Sequence, residues 1–550
     1  MRCFFLLVLF AFHFSAFAQP DSSFPGRPKL VVGIVVDQMR QEYLYRYEPK
    51  FGEGGFKRLM NEGFMLSNAH YNFIPTYTGP GHASIYTGTT PAIHGIIGND
   101  WYDKKLNKMV NCVEDGKQKI VGSDKGNGDV SPWRMLSTTV TDELELATQR
   151  RSKVIGISIK DRGAVLPAGH TPDGAYWYDA ITGKFISSTF YKAGLPTWLD
   201  KFNSLNLSDK FLSETWNTVF PITEYRESGP DDSPYEHVMK GKDRPTFPYN
   251  LKQLRSLNGE FAMLPATPFG NDLLNQLALA AIEGEGMGSD EWTDFLAVSY
   301  STPDYIGHAM GPNSIEVEDT YIRLDKNIET LLSKLDVSVG KGHYIVFLTS
   351  DHGAADVPKY LMDLKVISDT AEPTRFESGL KEFLASYYPD KNWIKNISNN
   401  QIFFNHDLFD SDPKSSGVEF LVVSELIRKY LQNLPGISNV YTKQMIQMTD
   451  YDEGGVRGMI KRGFDENRSG DIVVVTEPGW VVGNQGTGTS HGTAYTYDTH
   501  VPMIFYGFGV KNGTSANYYA ITDIAPTIST ILKIKFPSGS TGQPITELLK

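Results

Sequence analysis

Cysteine is nearly absent: Cys3 and Cys112 are the only two in 550 residues. Cys3 falls inside the N-terminal stretch MRCFFLLVLFAFHFSAFAQ, which has the form of an export signal. Arg2 gives its positive end, Phe4 to Phe12 its apolar core, and Ala16-Phe17-Ala18 a small-x-small cleavage site. Cleavage after residue 18 leaves Cys112 alone. The mature chain is then expected to have no intramolecular disulfide and to draw its stability from its core or from bound metal. Long apolar runs are missing as well. The N-terminal one is too short to span a bilayer comfortably and no other approaches the required length, so no stable membrane insertion is expected. The protein is expected to be exported, to a periplasm or to the medium. Positive charge is in deficit too: 52 Lys and Arg face 64 Asp and Glu, a formal net charge of −12. That argues against a nucleic-acid-binding surface, which needs clustered Lys and Arg. A hydrophobic fraction of 40% excludes wholesale disorder.

Several short apolar runs read as buried parallel strands: Leu30–Val36, Val154–Ile159, Phe295–Ser299, Tyr344–Thr349, Ile472–Val475 and Val501–Tyr506. Between some of them the period changes. Val317, Tyr321, Leu324, Ile328, Leu331 and Leu335 step by four and three, one face of an amphipathic helix. Further helices are expected over Leu273–Ile282, capped by Asn271 or Asp272, and over Ile524–Leu532. Strands alternating with helices indicate an α/β fold, a largely parallel central sheet with helices on both faces. Ligand sites of such sheets lie at the carboxyl ends of the strands. The intervals at about 163–290 and 366–467 read as two long insertions on one catalytic domain spanning 19–550.

Acidic and histidine residues gather after these strands. LVVGIVVDQM sets Asp37 directly after one run, FLAVSYSTPDYIGH sets Asp304 and His308 beyond another, and YIVFLTSDHG ends on Asp351-His352-Gly353. GTGTSHGT holds His491 in a glycine-threonine loop. Singly, each has a plainer reading as a helix cap, a helix-surface pair or turn chemistry. Together, three carboxylates and three imidazoles would converge at one edge of a parallel sheet. That donor set suits zinc, manganese or iron, and it has none of the thiolates of a structural zinc site. Six ligands suffice for two metals with coordination left for substrate. Such a pair, about 4 Å apart, clamps both the attacking and the leaving oxygen of an in-line displacement.

The stretch PTYTGPGHASIYTG (75–88) offers three threonine hydroxyls and one serine hydroxyl in a glycine-rich turn. Followed by PAIHGIIGNDWYD (91–103), it resembles the nucleophile region of the alkaline phosphatase superfamily, in its phosphodiesterase and phosphatase branches. There a threonine precedes x-Pro-x-His, and an asparagine follows a His-Gly-Ile-Ile-like segment. Asp37, Asp304-x-x-x-His308, Asp351-His352 and His491 fall in the order of the family's metal ligands, and TDIAPTISTIL (522–532) is similar to its C-terminal helix. The resemblance implies an alkaline-phosphatase-like fold and two Zn2+. Asp304, His308 and His491 would hold one zinc; Asp37, Asp351 and His352 would hold the other, with Thr78 beside it as nucleophile. Asn99 would contact a non-bridging phosphate oxygen. Gly79-Pro80 agrees, because it would start a helix at Thr78 whose N-terminus favours an anion. Thr76, Ser84, Thr87 and His82 are then structural.

The stretch ISIKDRG (157–163) separates the branches. If the extended conformation continues, Lys160 and Arg162 share a face and Asp161 points away. Two extra cationic donors, one capable of bidentate contact, fit a dianionic monoester better than a monoanionic diester. Lys-x-Arg resembles the superfamily's threonine-dependent bacterial monoesterases. The resemblance therefore implies an alkaline phosphatase, acting on small phosphate monoesters through a covalent phosphothreonine. A sulfatase would have Cys or Ser in a C/S-x-P-x-R context where Thr78-Gly79-Pro80-Gly81-His82 stands. A phosphodiesterase or nucleotide pyrophosphatase is the main rival. A non-catalytic exported protein that binds zinc or phosphate is a third reading, and Thr78 argues against it.

Overall fold

Four apolar runs become adjacent parallel strands because both of their faces are covered. In spatial order they are Val154–Ser158, Asp294–Tyr300, Leu30–Val36 and Tyr344–Thr349, in the middle of a ten-stranded sheet. Leu30, Val32, Ile34 and Val36 join one core layer with Leu324 and Ile328 of the helix Ile315–Leu335. Val31 and Val35 join the other with Ile524 and Ile528 of the helix Ile524–Leu532. Each such buried side chain contributes about 1.5–3 kcal/mol. This computed structural model describes residues 26–126, 128–371, 373–409, 416–482 and 486–550. The expected signal at residues 1–18 lies outside the described residues.

The α/β expectation holds, and two of the six expected strands differ from it. Ile472–Thr476 belongs to a separate four-stranded antiparallel sheet with Ile394–Ser398, Gln401–Phe404 and Ile437–Thr442. Met503–Gly507 does join the central sheet, but antiparallel to Tyr344–Thr349, and Val501 pairs elsewhere, with Ala69. An apolar run reports burial and says nothing of direction. Gly174–Asp179 and Lys184–Ser188 extend the central sheet beyond Val154–Ser158. The helix Phe269–Gly284 contains the expected Leu273–Ile282 yet begins earlier, so Asn271 and Asp272 lie inside it and Pro268 precedes it.

Register decides where the chemistry sits. Val36 lies opposite Tyr300, Val35 opposite Thr349, and Ser299 opposite Ser158. The carboxyl ends are level. The residues that follow them, Asp37, Lys160, Asp304 and Asp351, therefore emerge along one edge of the sheet.

Candidate metal centre and active site

Asp37 leaves its strand with its N–H donated to the Tyr300 carbonyl (3.0 Å), and its Oδ1 accepts from Ser299 Oγ (3.0 Å). Asp304 and His308 stand one turn apart on the helix Thr302–Met310, with His308 Nε2 3.2 Å from Asp304 Oδ1. His491 Nε2 approaches the same oxygen at 3.7 Å. The ligand atoms of Asp304, His308 and His491 lie within 4.8 Å of one another, and those of Asp37, Asp351 and His82 form a second such group. The two groups adjoin: Lys160 Nζ is 3.0 Å from Asp37 Oδ2 and 2.6 Å from Asp304 Oδ2. His352 Nε2 lies 3.4 Å from Asp351 Oδ2, and its ring stacks on His491 with centroids 3.4 Å apart. The six expected metal ligands are thus brought together.

Proximity alone would admit His82 to the second group; hydrogen bonding distinguishes it from His352. His82 Nδ1 donates to the Thr78 carbonyl and its Nε2 meets Ser299 Oγ, both at 2.9 Å, so neither nitrogen is free for a metal. The other three imidazoles each donate Nδ1–H to a backbone carbonyl: His308 to Thr489 (2.8 Å), His491 to Thr76 (2.7 Å) and His352 to Gly353 (2.9 Å). That arrangement fixes the tautomer with an Nε2 lone pair, the usual support of a ligating histidine. His352 Nε2 and Asp351 Oδ2 are buried without a hydrogen-bond partner, and Asp37 Oδ2 has only the Lys160 ion pair. Two carboxylate oxygens and an imidazole nitrogen without hydrogen-bond partners, buried together at the sheet edge, fit a divalent cation.

The electrostatics agree. Burial, reinforced by the neighbouring Asp37 charge, pushes the Asp351 carboxyl up to about 8. Burial also acts to raise Asp304, but His308 and Lys160 outweigh it and hold that carboxylate well below its usual range. Burial lowers His352 to about 4 and, with His352 and His308 beside it, takes His491 well below its ordinary value. Both stacked rings are therefore neutral near pH 7 and able to ligate.

Thr78 is the first residue of the helix Thr78–Thr87, which packs on the helix Asp161–Ala168. Its Oγ1 lies 3.4 Å from Lys160 Nζ. Asn99 Oδ1 accepts the Gly79 N–H at 2.7 Å, leaving its Nδ2 hydrogens as donors. His94 steadies the loop before Asn99, its Nε2 3.0 Å from Ser84 Oγ and its Nδ1 accepting the Ile96 N–H. The expected continuation of the strand through Arg162 does not occur. The strand ends at Ser158, Lys160 is the N-cap residue, and Arg162 is the second residue of a helix. Lys160 and Arg162 nonetheless line one cleft of about 240 Å³ with Tyr305. Arg162 Nε is buried there without a partner.

Two supporting residues carried no sequence signal that was read. Gln38 takes a left-handed φ of 63°. From there its N–H donates to Asp351 Oδ1 (3.0 Å) and its Nε2 to Asp304 Oδ1 (2.7 Å), tying the two ligand groups together. Tyr305 presents its ring to Lys160 Nζ, 5.3 Å from the centroid.

Residues 31–501 match the family described as type I phosphodiesterase / nucleotide pyrophosphatase. The chain belongs to this family. It is 44% identical to alkaline phosphatase PafA of Elizabethkingia meningoseptica, over 97% of this chain and 96% of that one. It is 46% identical to alkaline phosphatase PhoV of Synechococcus elongatus, over 96% and 94%. A protein of Myroides odoratus named a calcium-transporting ATPase is 43% identical over 98% and 97%. The crystal structure of wild-type PafA matches with a TM-score of 0.91 at 43% identity, covering 95% of this chain and 99% of that one. PafA has also been solved with one threonine, one asparagine, one lysine and one arginine substituted.

Proposed function

We propose that this member of the type I phosphodiesterase family is a zinc-dependent alkaline phosphatase, hydrolysing small phosphate monoesters through a phosphothreonine at a two-metal site. The observation that carries this reading is Lys160, whose ammonium stands 3.4 Å from the Thr78 hydroxyl with Arg162 in the same cleft. A monoester presents three non-bridging oxygens and two charges, and such a paired ammonium and guanidinium matches them. The names of PafA and PhoV support monoester hydrolysis, and the four residue types altered in the PafA variant are those of Thr78, Asn99, Lys160 and Arg162.

Asp304, His308 and His491 would hold one Zn2+, and Asp37, Asp351 and His352 the other. Two bound zinc ions supply Lewis acidity that stabilises negative charge on the attacking and departing oxygens. Thr78 Oγ1 attacks phosphorus, the bond to the leaving oxygen breaks, and water then attacks the phosphothreonine to return Thr78 and release phosphate. The Asn99 amide, Lys160 and Arg162 stabilise charge on the equatorial oxygens. Gln38 keeps Asp304 and Asp351 at a fixed separation. The enzyme forms one catalytic domain bearing two insertions, and residues 1–18 direct it out of the cytoplasm. Among the described residues, no helix is long and apolar enough to cross a membrane.

The family's name includes the rival activity, so the decisive experiment compares a phosphate monoester with its methyl-capped diester on the zinc-loaded protein. The monoester is expected to have the higher kcat/KM by at least about 10²-fold, from the cationic contacts a diester cannot fully use. Diester preference would overturn the assignment.

A further inference from the structure

A cavity of about 320 Å³ opens beside His491 and Tyr77 and runs under the antiparallel sheet of the second insertion. Ile397, Val474 and Trp480 give it apolar walls, and Asn399, Asn400 and Thr476 add neutral polar groups. None of its described lining residues is Lys, Arg, Asp or Glu. The cleft of Lys160 and Arg162 has the opposite character and different lining residues.

The fold holds the cavity in a set position. Asn399 and Asn400 both have positive φ, 53° and 57°, and form the two-residue turn between Ile394–Ser398 and Gln401–Phe404. Asparagine tolerates that conformation in a tight hairpin. Asn399 Nδ2 donates to the Asp100 carbonyl, which ties the hairpin tip to the loop that carries Asn99. Trp480 packs on Gly436, where φ is +79° and an added Cβ would stand 2.2 Å from the indole. At the other wall, the Tyr77 ring meets His491 edge-on with centroids 5.5 Å apart, and Tyr77 immediately precedes Thr78.

We propose that this cavity receives the organic part of the leaving group and selects aryl over small alkyl phosphate monoesters. The inference rests on the monoesterase reading, in which the Asp304, His308 and His491 group serves the departing oxygen. A ligand there has its phosphate toward Lys160 and its carbon skeleton beyond His491. The volume lies at the small end of ligand sites, roughly 300–1,000 Å³, and suits one or two rings. Apolar walls with a tryptophan favour a flat aromatic group, and the amides of Asn399 and Asn400 accommodate a polar ring substituent.

The test uses the zinc-loaded enzyme and the ratio of kcat/KM for phenyl phosphate over methyl phosphate, so that intrinsic leaving-group reactivity cancels between variants. Trp480→Ala removes the aromatic wall, and Ile397→Phe independently fills the space. Each is expected to lower the ratio about tenfold relative to the parent, the scale of a lost apolar contact in a specificity pocket. Calorimetric affinities for phenylphosphonate and methylphosphonate should change in the same sense without turnover. A ratio preserved in both variants overturns the proposal. Failure of the monoesterase reading would appear differently, as preference of the parent itself for the methyl-capped diester.

Discussion

At the residue scale, the Thr76, Gly353 and Thr489 carbonyls do as much as the histidines they hold. By taking Nδ1–H they make Nε2 the only ring nitrogen that His491, His352 and His308 can offer. His82 lies as near to the carboxylates but has both nitrogens engaged. The difference is measurable by elemental analysis of the purified protein. His352→Ala should lose about one equivalent of metal, whereas His82→Gln should keep both, since a second-sphere group shifts affinity only about 10–100-fold. Equal losses would return His82 to the ligand set. In the same series, Thr78→Ala should retain both metals and lose at least about 10³-fold in kcat, as expected when a nucleophile is removed and the binding groups stay.

At the scale of the element, the helix Thr78–Thr87 aims its first residue at the strand ends only because it approaches them closely. A Cβ on Gly81 would stand 2.4 Å from the Asp351 carbonyl oxygen, and that backbone atom cannot step aside without moving Asp351. Intrinsic propensity would favour alanine in a helix by about 0.5–1 kcal/mol. Overpacking, at about 1–3 kcal/mol, is the larger effect. Gly81→Ala should therefore lower the melting temperature and reduce kcat more than it raises KM, checked by thermal melts and steady-state kinetics. An unchanged kcat would mean that the helix start is not held by this contact. Elements with a strong local signal were legible from sequence: the two-sided strands Leu30–Val36 and Tyr344–Thr349, and the long periodic helix Ile315–Leu335. The turn after Ser158 was not, because Gly163 and Pro167 depress helix propensity just where the helix Asp161–Ala168 forms. Gln38 was illegible for a different reason: its role depends on a left-handed φ that glutamine seldom adopts. The leaving-group cavity arises from pairing among strands far apart in sequence, which no local pattern encodes.

At the scale of the whole molecule, the proposed metal centre links stability to pH. Asp351 keeps its proton up to about pH 8 in the folded chain, whereas an unfolded aspartate has lost its proton well below that. In metal-free protein the folded state thus binds more protons across that interval, and stability falls as pH rises. His352 and His491 act in the opposite sense below about pH 6.5, where unfolded histidines take up protons that the fold refuses. The net fall should therefore appear between about pH 6.5 and 8, with a slope of up to about 1.4 kcal/mol per pH unit for one proton. Melting temperatures of chelated protein, measured across this window with and without restored zinc, should show the steeper fall in the chelated sample, because buried carboxyls outside the site, Glu145 and Glu316 among them, are also raised to about 8 and act in both. Equal slopes in the two samples would contradict the proton on Asp351.

The level strand ends have one more consequence, in time rather than in space. Asp37 is made early in synthesis and His491 close to the end, with Asp304, His308, Asp351 and His352 between them. The set of Asp304, His308 and His491 cannot be completed until nearly the whole chain is made, and the strand bearing Asp37 waits for neighbours that arrive only with residues 294–349. Capture of a metal by the proposed His491 site would therefore be a late event that registers a finished fold. A cation supplied too soon would meet only scattered donors.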